Sequence, residues 1–410
     1  MTTISSQPAS PHLASDGQIA IRDLRRALVA IIESVGGDPG VPQELSRRFR
    51  IDKTLAWRIS RAVREEDAWS ALQHVPGRSG LAIFQAAMVK AGAPAERAAE
   101  LNDAIERFEG FVSTHARDRD TLEMIVSVPK GGTSRKRMEA FRKSGYQCNS
   151  SLLGVRATTQ FTAQFLSPSQ TPGLLDVGII GGLLELCRLR PNVPWSVATI
   201  ANWGPGNVAV NNSGTLPLRP DPSGDATPLL RDFCRPDDVR IKAVERPGGT
   251  FRYMLEPGNV GYSASNDVVY GWVDLGAVPP YASIPGETGD HCVYLYTPAE
   301  ELVFDFIVHE SLTFAHSPSV RVFSMSPGGP LYPDPAAVAA ALPVPTDLID
   351  LGRAMPEPPT RTLTKYAELL TLAAARLNRP ITEFRAFRYR LAFPPAPAMC
   401  CISHPLLVKP

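Results

Sequence analysis

The chain reads as an α+β protein, with an all-α N-terminal domain followed by a β-rich, mainly antiparallel domain that carries one late helix. Three observations point there. Residues 18–128 are rich in Ala, Arg, Glu and Leu at helical spacing. Beyond residue 150, short runs of β-branched and aromatic residues alternate with Pro, Gly and Asn. Between 240 and 325 those runs follow one another with no helix between them, which argues against a doubly wound parallel sheet.

At 410 residues, with 44% hydrophobic and 20% charged content, the chain is long enough for two or three domains with real cores. Residues 1–17 lack the basic start and apolar centre of a signal peptide and read as a disordered tail. The helical domain spans 18–128, with helical stretches at 18–35, 79–91 and 95–127. Pro76-Gly77 and Gly92-Ala93-Pro94 separate them. The last stretch carries Leu101, Ile105, Phe108, Val112, Leu122, Ile125 and Val126 as a stripe that packs inside the domain or against a second copy.

Between the first two stretches, residues 41–64 read as a helix-turn-helix. Leu45 and Phe49 are four apart, Ile51 marks a turn, and Leu55, Ile59 and Ala62 or Val63 continue at helical spacing, so two short helices share one buried face. Asp52 stands where an N-cap carboxylate would accept the open N–H groups of the second helix. Lys53, Thr54, Trp57, Arg58 and Arg61 fall on the opposite face, and such a row suits the major groove of duplex DNA. Seven basic residues against two acidic ones occupy this segment of a chain whose net charge is only +1. Charge concentrated in this way is the footprint of phosphate neutralisation. Arg47, Arg48 and Arg50 would hold phosphates, while Lys53, Thr54, Trp57 and Arg58 would reach base edges or the groove wall.

The run from Leu45 to Ile59 resembles the helix-turn-helix of bacterial transcriptional regulators: aliphatic, small, two polar positions, an apolar residue, the turn, aliphatic, cap, recognition helix. The resemblance covers residues 20–70 and implies that residues 53–61 are the recognition helix. The family usually has Gly at the turn; here it is Arg50, which must bear a left-handed conformation or adopt another turn.

Residues 129–150 form a basic linker or helix. Lys130, Arg135, Lys136, Arg137, Arg142 and Lys143 face a single acid, Glu139, and Gly131-Gly132 precedes them. Arg135, Lys136 and Arg137 would add phosphate contacts if they folded near the recognition helix; otherwise they solvate an interdomain segment. The domain from 151 to 410 holds strand-like runs starting near 154, 195, 239, 250, 267, 291, 301 and 319, then a helix at 361–378 and an alternating strand at 384–393. Residues 326–360 are Pro-rich and read as an irregular connection. In the last strand Arg385, Arg388 and Arg390 read as surface residues flanking a covered edge. Trp195, Trp203, Trp272, Tyr262, Tyr270 and Tyr281 either fill the core or line a pocket for a small-molecule effector.

No nucleophile elbow, zinc-binding helix, dinucleotide fingerprint or P-loop is present, so neither a catalytic residue, a metal ligand nor a cofactor is assigned. His291, Cys292, His309, Glu310 and His316 have the residue types for a metal or a Cys-His pair, yet they sit where strands end and read as polar exits to solvent. The six cysteines lack framework spacing and are expected as reduced thiols of a cytoplasmic protein. The apolar run 174–187 is too short to span a bilayer and carries acids. The expectation is a cytoplasmic, homodimeric, sequence-specific DNA-binding transcriptional regulator whose β-rich domain senses a ligand or oligomerises. A protein-interaction scaffold with a basic helical domain is the first alternative, and an enzyme active in the β-rich domain the second.

Overall fold

The computed structural model describes residues 11–409 except 73, 128–134, 201, 204–208, 211–214, 220–227, 237–238, 247–249, 325–340 and 354–355. The chain divides into two compact units, Met1–Thr133 and Ser134–Pro410.

Leu and Ile at helical spacing build the first unit. Helices α1 (Pro11–Ser34), α2 (Pro42–Phe49), α3 (Lys53–Arg64), α4 (Ala68–Leu72), α5 (Arg78–Lys90), α6 (Ala95–His115) and α7 (Arg119–Ser127) enclose one core. Ile21, Leu24, Leu28 and Ile31 give α1 a fully buried stripe, and Leu101, Ile105, Phe108, Val112 and Leu122 of the later helices lie in the same core. Two boundaries differ from expectation. Residues 11–17 belong to α1 and not to a tail: Leu13 is buried, and a Cβ on Gly17 would meet the Trp69 ring at 2.3 Å, so the bare glycine is what lets α4 approach. The stretch 95–127 is two helices, because Arg117 adopts a left-handed φ of 69° and Asp118 Oδ1 then accepts the Thr121 N–H at 2.7 Å to start α7.

The second unit opens with α8 (Arg135–Leu153), formed by most of the expected basic linker. It is seated on the β-rich part: Arg142 Nε donates to the Ala392 carbonyl at 3.1 Å, the Tyr146 hydroxyl to Glu300 at 3.1 Å, and Asn149 to the Ala396 carbonyl at 2.6 Å. Lys130 and Gly131-Gly132 lie outside the described residues. The strands are β1 (Val155–Pro168), β2 (Leu175–Arg188), β3 (Trp195–Ile200), β4 (Asn202–Trp203), β5 (Ala209–Val210), β6 (Thr215–Pro217), β7 (Ile241–Arg246), β8 (Thr250–Leu255), β9 (Asn266–Val278), β10 (Thr288–Leu295), β11 (Ala299–His309), β12 (Ser319–Ser324), β13 (Leu348–Gly352), β14 (Phe384–Ala392) and β15 (Ala398–Pro405). Helix α9 (Tyr366–Arg376) precedes β14.

A seven-stranded sheet, ordered β13-β14-β11-β1-β2-β9-β6, forms the centre. Every neighbouring pair in it is antiparallel except β1 with β11. The apolar run 174–187 is β2 in its middle, and its continuous hydrophobicity follows from cover on both faces. One face packs against α9 and the sheet β3-β8-β7, the other against the sheet β10-β15-β12. Gly181 and Gly182 in β2 make room for rings: a Cβ would lie 2.6 Å from Tyr270 in the first case and 2.3 Å from Phe161 in the second. Tyr270 stacks on Trp272 at 6.0 Å, and Trp195 Nε1 donates to Thr297 at 2.9 Å, so these aromatics pack on the core; the Trp203 side chain lies outside the described residues.

Three polar features of this unit differ from what alternation and spacing predict. Arg388 is not on the surface. It stands directly opposite Asp305 in the β11–β14 register, and its Nε and Nη2 donate to the two carboxylate oxygens at 2.7 Å each. Asp305 is fully buried, and the Tyr366 hydroxyl of α9 closes the cluster at 2.6 Å. Arg385 and Arg390 remain partly exposed and pair with Asp350 and Glu301. Arg388 is enclosed where Tyr366 of α9 reaches the same carboxylate, whereas Arg390, two residues on and on the same side of the strand, is exposed.

His291 and His309 are buried instead of exiting to solvent. His291 packs on Phe306 at 4.4 Å and on His404 at 5.4 Å, because the three-stranded sheet lies over this face. Finally, Cys292 and Cys401 form a disulfide, since the antiparallel β10–β15 register sets them directly opposite across 109 residues of sequence. Cys148, Cys187, Cys234 and Cys400 are free thiols.

Replacing Arg388 by Met should destabilise the second unit by about 3–5 kcal/mol in urea unfolding, because the Asp305 carboxylate is left buried and unpaired; adding Asp305→Asn should recover most of the loss. Burial holds the His291 imidazole well below its usual range, reinforced by His404, and burial also lowers His404. Both folded-state values are depressed, so the unfolded chain binds more protons below the ordinary histidine value of 6.5. Stability should therefore be full above that pH and fall as the pH drops beneath it; His291→Phe should flatten the dependence in denaturant titrations at pH 8 and pH 5.

Candidate nucleic-acid interface

Helices α2 and α3 are joined by Arg50, Ile51 and Asp52. Arg50 takes the left-handed conformation that the turn requires, with φ 52° and ψ 40°. Ser46 Oγ donates to the Ile51 carbonyl at 2.8 Å and ties the turn to α2. Asp52 caps α3: its Oδ1 accepts the Thr54 and Leu55 N–H groups at 2.8 and 3.2 Å. Those backbone donors hold its carboxyl below the usual aspartate range. Leu45 and Phe49 of α2 and Ala56, Ile59 and Ala62 of α3 are buried against α1 and its neighbours.

The basic residues of this segment divide by what their side chains touch. Arg47, Arg50 and Lys53 are exposed and have no ion-pair partner among the described residues. Thr54 is exposed on the first turn of α3, and Trp57 is 48% exposed one turn on, with its ring edge-on to His74 at 5.4 Å. Arg61 reaches solvent but pairs with Glu65 at 2.7 Å. These six residues surround the N-terminal half of α3 and its outward face.

Two of the expected phosphate or base contacts are engaged within the unit. Arg48 turns back to donate to the Val35 carbonyl at 2.8 Å and to the Gly36 carbonyl, and it lies 3.5 Å from Glu44. It thereby satisfies the open C-terminal end of α1. Arg58 is half-buried and donates to the Val75 carbonyl at 3.0 Å. Sequence reasoning also missed Arg25, whose guanidinium reaches from α1 to the Val63 carbonyl at 2.7 Å and to that of Glu65, closing the end of α3. No local pattern marks these roles, because each partner lies 12 or more residues away.

The other basic island belongs to the second unit. Arg135 is exposed and pairs with Asp347 at 2.9 Å, and Lys136 is exposed. Arg137 is part of α8, with its side chain outside the described residues. Lys143 sits over the Phe393 ring at 5.6 Å. Among the described residues there is no cluster of three or more His, Cys, Asp or Glu suited to a metal ion, and no helix is long and apolar enough to cross a membrane.

Compared with known protein families, curated proteins and solved structures, the chain matches none.

Arg50→Gly should raise the stability of the helical unit by about 0.5–1 kcal/mol, since glycine reaches the left-handed region without the Cβ clash. Thermal unfolding followed by α-helical circular dichroism checks this, and an unchanged or lowered midpoint would contradict the strain assigned to the turn.

Proposed function

We propose that the chain is a sequence-specific DNA-binding transcriptional regulator that uses α3 as its recognition helix. One observation carries this. The capped α3 buries one face while Lys53, Thr54, Trp57 and Arg61 project from the other, with the uncommitted Arg47 and Arg50 beside its N-terminus. An exposed helix N-terminus flanked by unpaired cations suits a phosphate, and the outward row that follows suits base edges in the major groove.

In this proposal Arg47, Arg50 and Lys53 contact phosphates, Thr54 and Trp57 face the groove, and Arg61 exchanges Glu65 for the DNA backbone. Arg48 and Arg58 act indirectly, by holding α1 and the Val75 segment in place. One such module gives a short site, so the protein binds as a homodimer to two half-sites about one helical turn apart. The β-rich unit serves oligomerisation or sensing of a small-molecule effector, and the protein works in the cytoplasm, where its DNA is.

The test is titration of the full chain with random duplex DNA and with duplexes selected from a random pool, at two salt concentrations. Arg47→Ala should weaken binding to every sequence alike and reduce the salt slope by about one, whereas Thr54→Ala or Trp57→Ala should cost about 1–3 kcal/mol on the selected site alone. Absence of binding at low salt would overturn the proposal and leave the basic face to an acidic protein partner.

A further inference from the structure

The end of β11 brings together three side chains that no part of the DNA-binding proposal uses. Ser311 Oγ lies 2.9 Å from His309 Nδ1, and His309 Nε2 lies 2.9 Å from Glu383 Oε2. The tautomer follows from the surroundings. Nδ1 also accepts the Ser311 backbone N–H at 3.2 Å, so it carries the lone pair, and the ring proton sits on Nε2, donating to the Glu383 carboxylate. The imidazole is fixed in place: it is 9% exposed, its ring stands edge-on to Phe384 at 5.5 Å, and the Glu310 N–H donates to the Glu383 carbonyl at 2.9 Å to hold the two segments together. Ser311 itself is exposed. Five residues on, past the short helical turn Thr313–Ala315, His316 Nε2 is buried with no hydrogen-bond partner among the described residues.

A hydroxyl, a base that accepts its proton and a carboxylate that orients the base make up the logic of an activated serine, which is recognised by geometry and not by chain order. The geometry points to a second activity in the β-rich unit: Ser311 accepts an acyl group from short-chain carboxylic esters and passes it to water. Small esters suit the site as probes because the exposed Ser311 can be reached from solvent directly. As Oγ bonds to the carbonyl carbon, its proton moves to His309 Nδ1, and Glu383 stabilises the resulting imidazolium. Collapse of the adduct breaks the carbon–oxygen bond to the leaving alcohol, which takes that proton. Water then attacks the acyl-serine, giving its proton to the same nitrogen, and the ester bond to Oγ breaks as Oγ is reprotonated, releasing a carboxylic acid. Ser311 and His309 are the catalytic residues and Glu383 a positioning residue.

The experiment treats the full chain with p-nitrophenyl acetate and with a fluorophosphonate, mapping the adduct by mass spectrometry of peptides. The adduct should fall on Ser311, and His309→Ala should slow acylation about 100-fold or more. Glu383→Gln, whose amide oxygen can still face His309 Nε2, should slow it less and lower kcat for p-nitrophenyl acetate with KM unchanged, whereas a merely structural loss would lower the melting temperature as well. Ser311→Ala, an exposed substitution checked by its melting temperature, should abolish the adduct and leave DNA affinity unchanged, so this activity and DNA binding fail separately. An adduct elsewhere, or wild-type acylation by Ser311→Ala, would overturn the assignment and reduce the serine to a local tie at the end of the strand.

Discussion

The Asp305 carboxylate is fully buried in the central sheet, and the packing of the β-rich unit is arranged around the need to compensate it. A carboxylate in such a place is tolerated only if both oxygens find donors. Arg388 supplies a two-pronged contact from the neighbouring strand and Tyr366 adds a third donor from α9. These contacts hold three elements at once. A one-residue slip of β14 against β11 would turn Arg388 to the opposite face and orphan the charge, so the pair specifies register more sharply than apolar contacts could. The hydroxyl of Tyr366 likewise fixes how α9 lies over the sheet. Burial, with Asp305 beside it, drives the Tyr366 phenol well above its usual range, so it stays a donor at neutral pH.

The other face of the sheet is held differently. Gln160 and Gln164 on β1 donate to the carbonyls of Tyr294 and Cys292 at 2.9 Å each, so the edge of β10 is satisfied by side chains in place of a further strand. Side-chain donors to backbone carbonyls recur in the helical unit, where Arg48 closes α1 and Arg25 closes α3. In both units long polar side chains satisfy backbone groups that regular secondary structure leaves open. That use competes with surface function, since a guanidinium holding a helix end is not available to a phosphate.

How much of the site was legible follows from range. The Asp52 cap rests on contacts within three residues, and helical spacing marked the apolar faces of α2 and α3; for Arg50 the sequence left a left-handed turn and another turn both open, and the structure has the left-handed one. Arg48 and Arg58 looked like their neighbours Arg47 and Arg50, and only the Val35, Gly36 and Val75 carbonyls set them apart. In the β-rich unit the strands around β7, β8 and β9 were legible from composition. β2 was noticed only as an apolar run, β13 lay inside a segment read as irregular, and β15 carried cysteines and a histidine that gave no strand signal. Arg388 reads as surface from alternation alone, because alternation tells which residues share a face and not whether that face is covered.

By itself the sequence determined the class of each half, α-helical before residue 128 and mainly antiparallel β after 150, and the local form of the helix-turn-helix. These follow from periodicity, capping and turn chemistry, which act between residues close in the chain. Tertiary structure decided the parallel pairing of β1 with β11, the burial of Asp305 with Arg388, the Cys292–Cys401 disulfide and the meeting of His309 with Glu383. Their partners are separated by 74 to 109 residues in the last three cases. Contacts at that distance depend on which sheet faces are covered and by what, and no local pattern of residues records it.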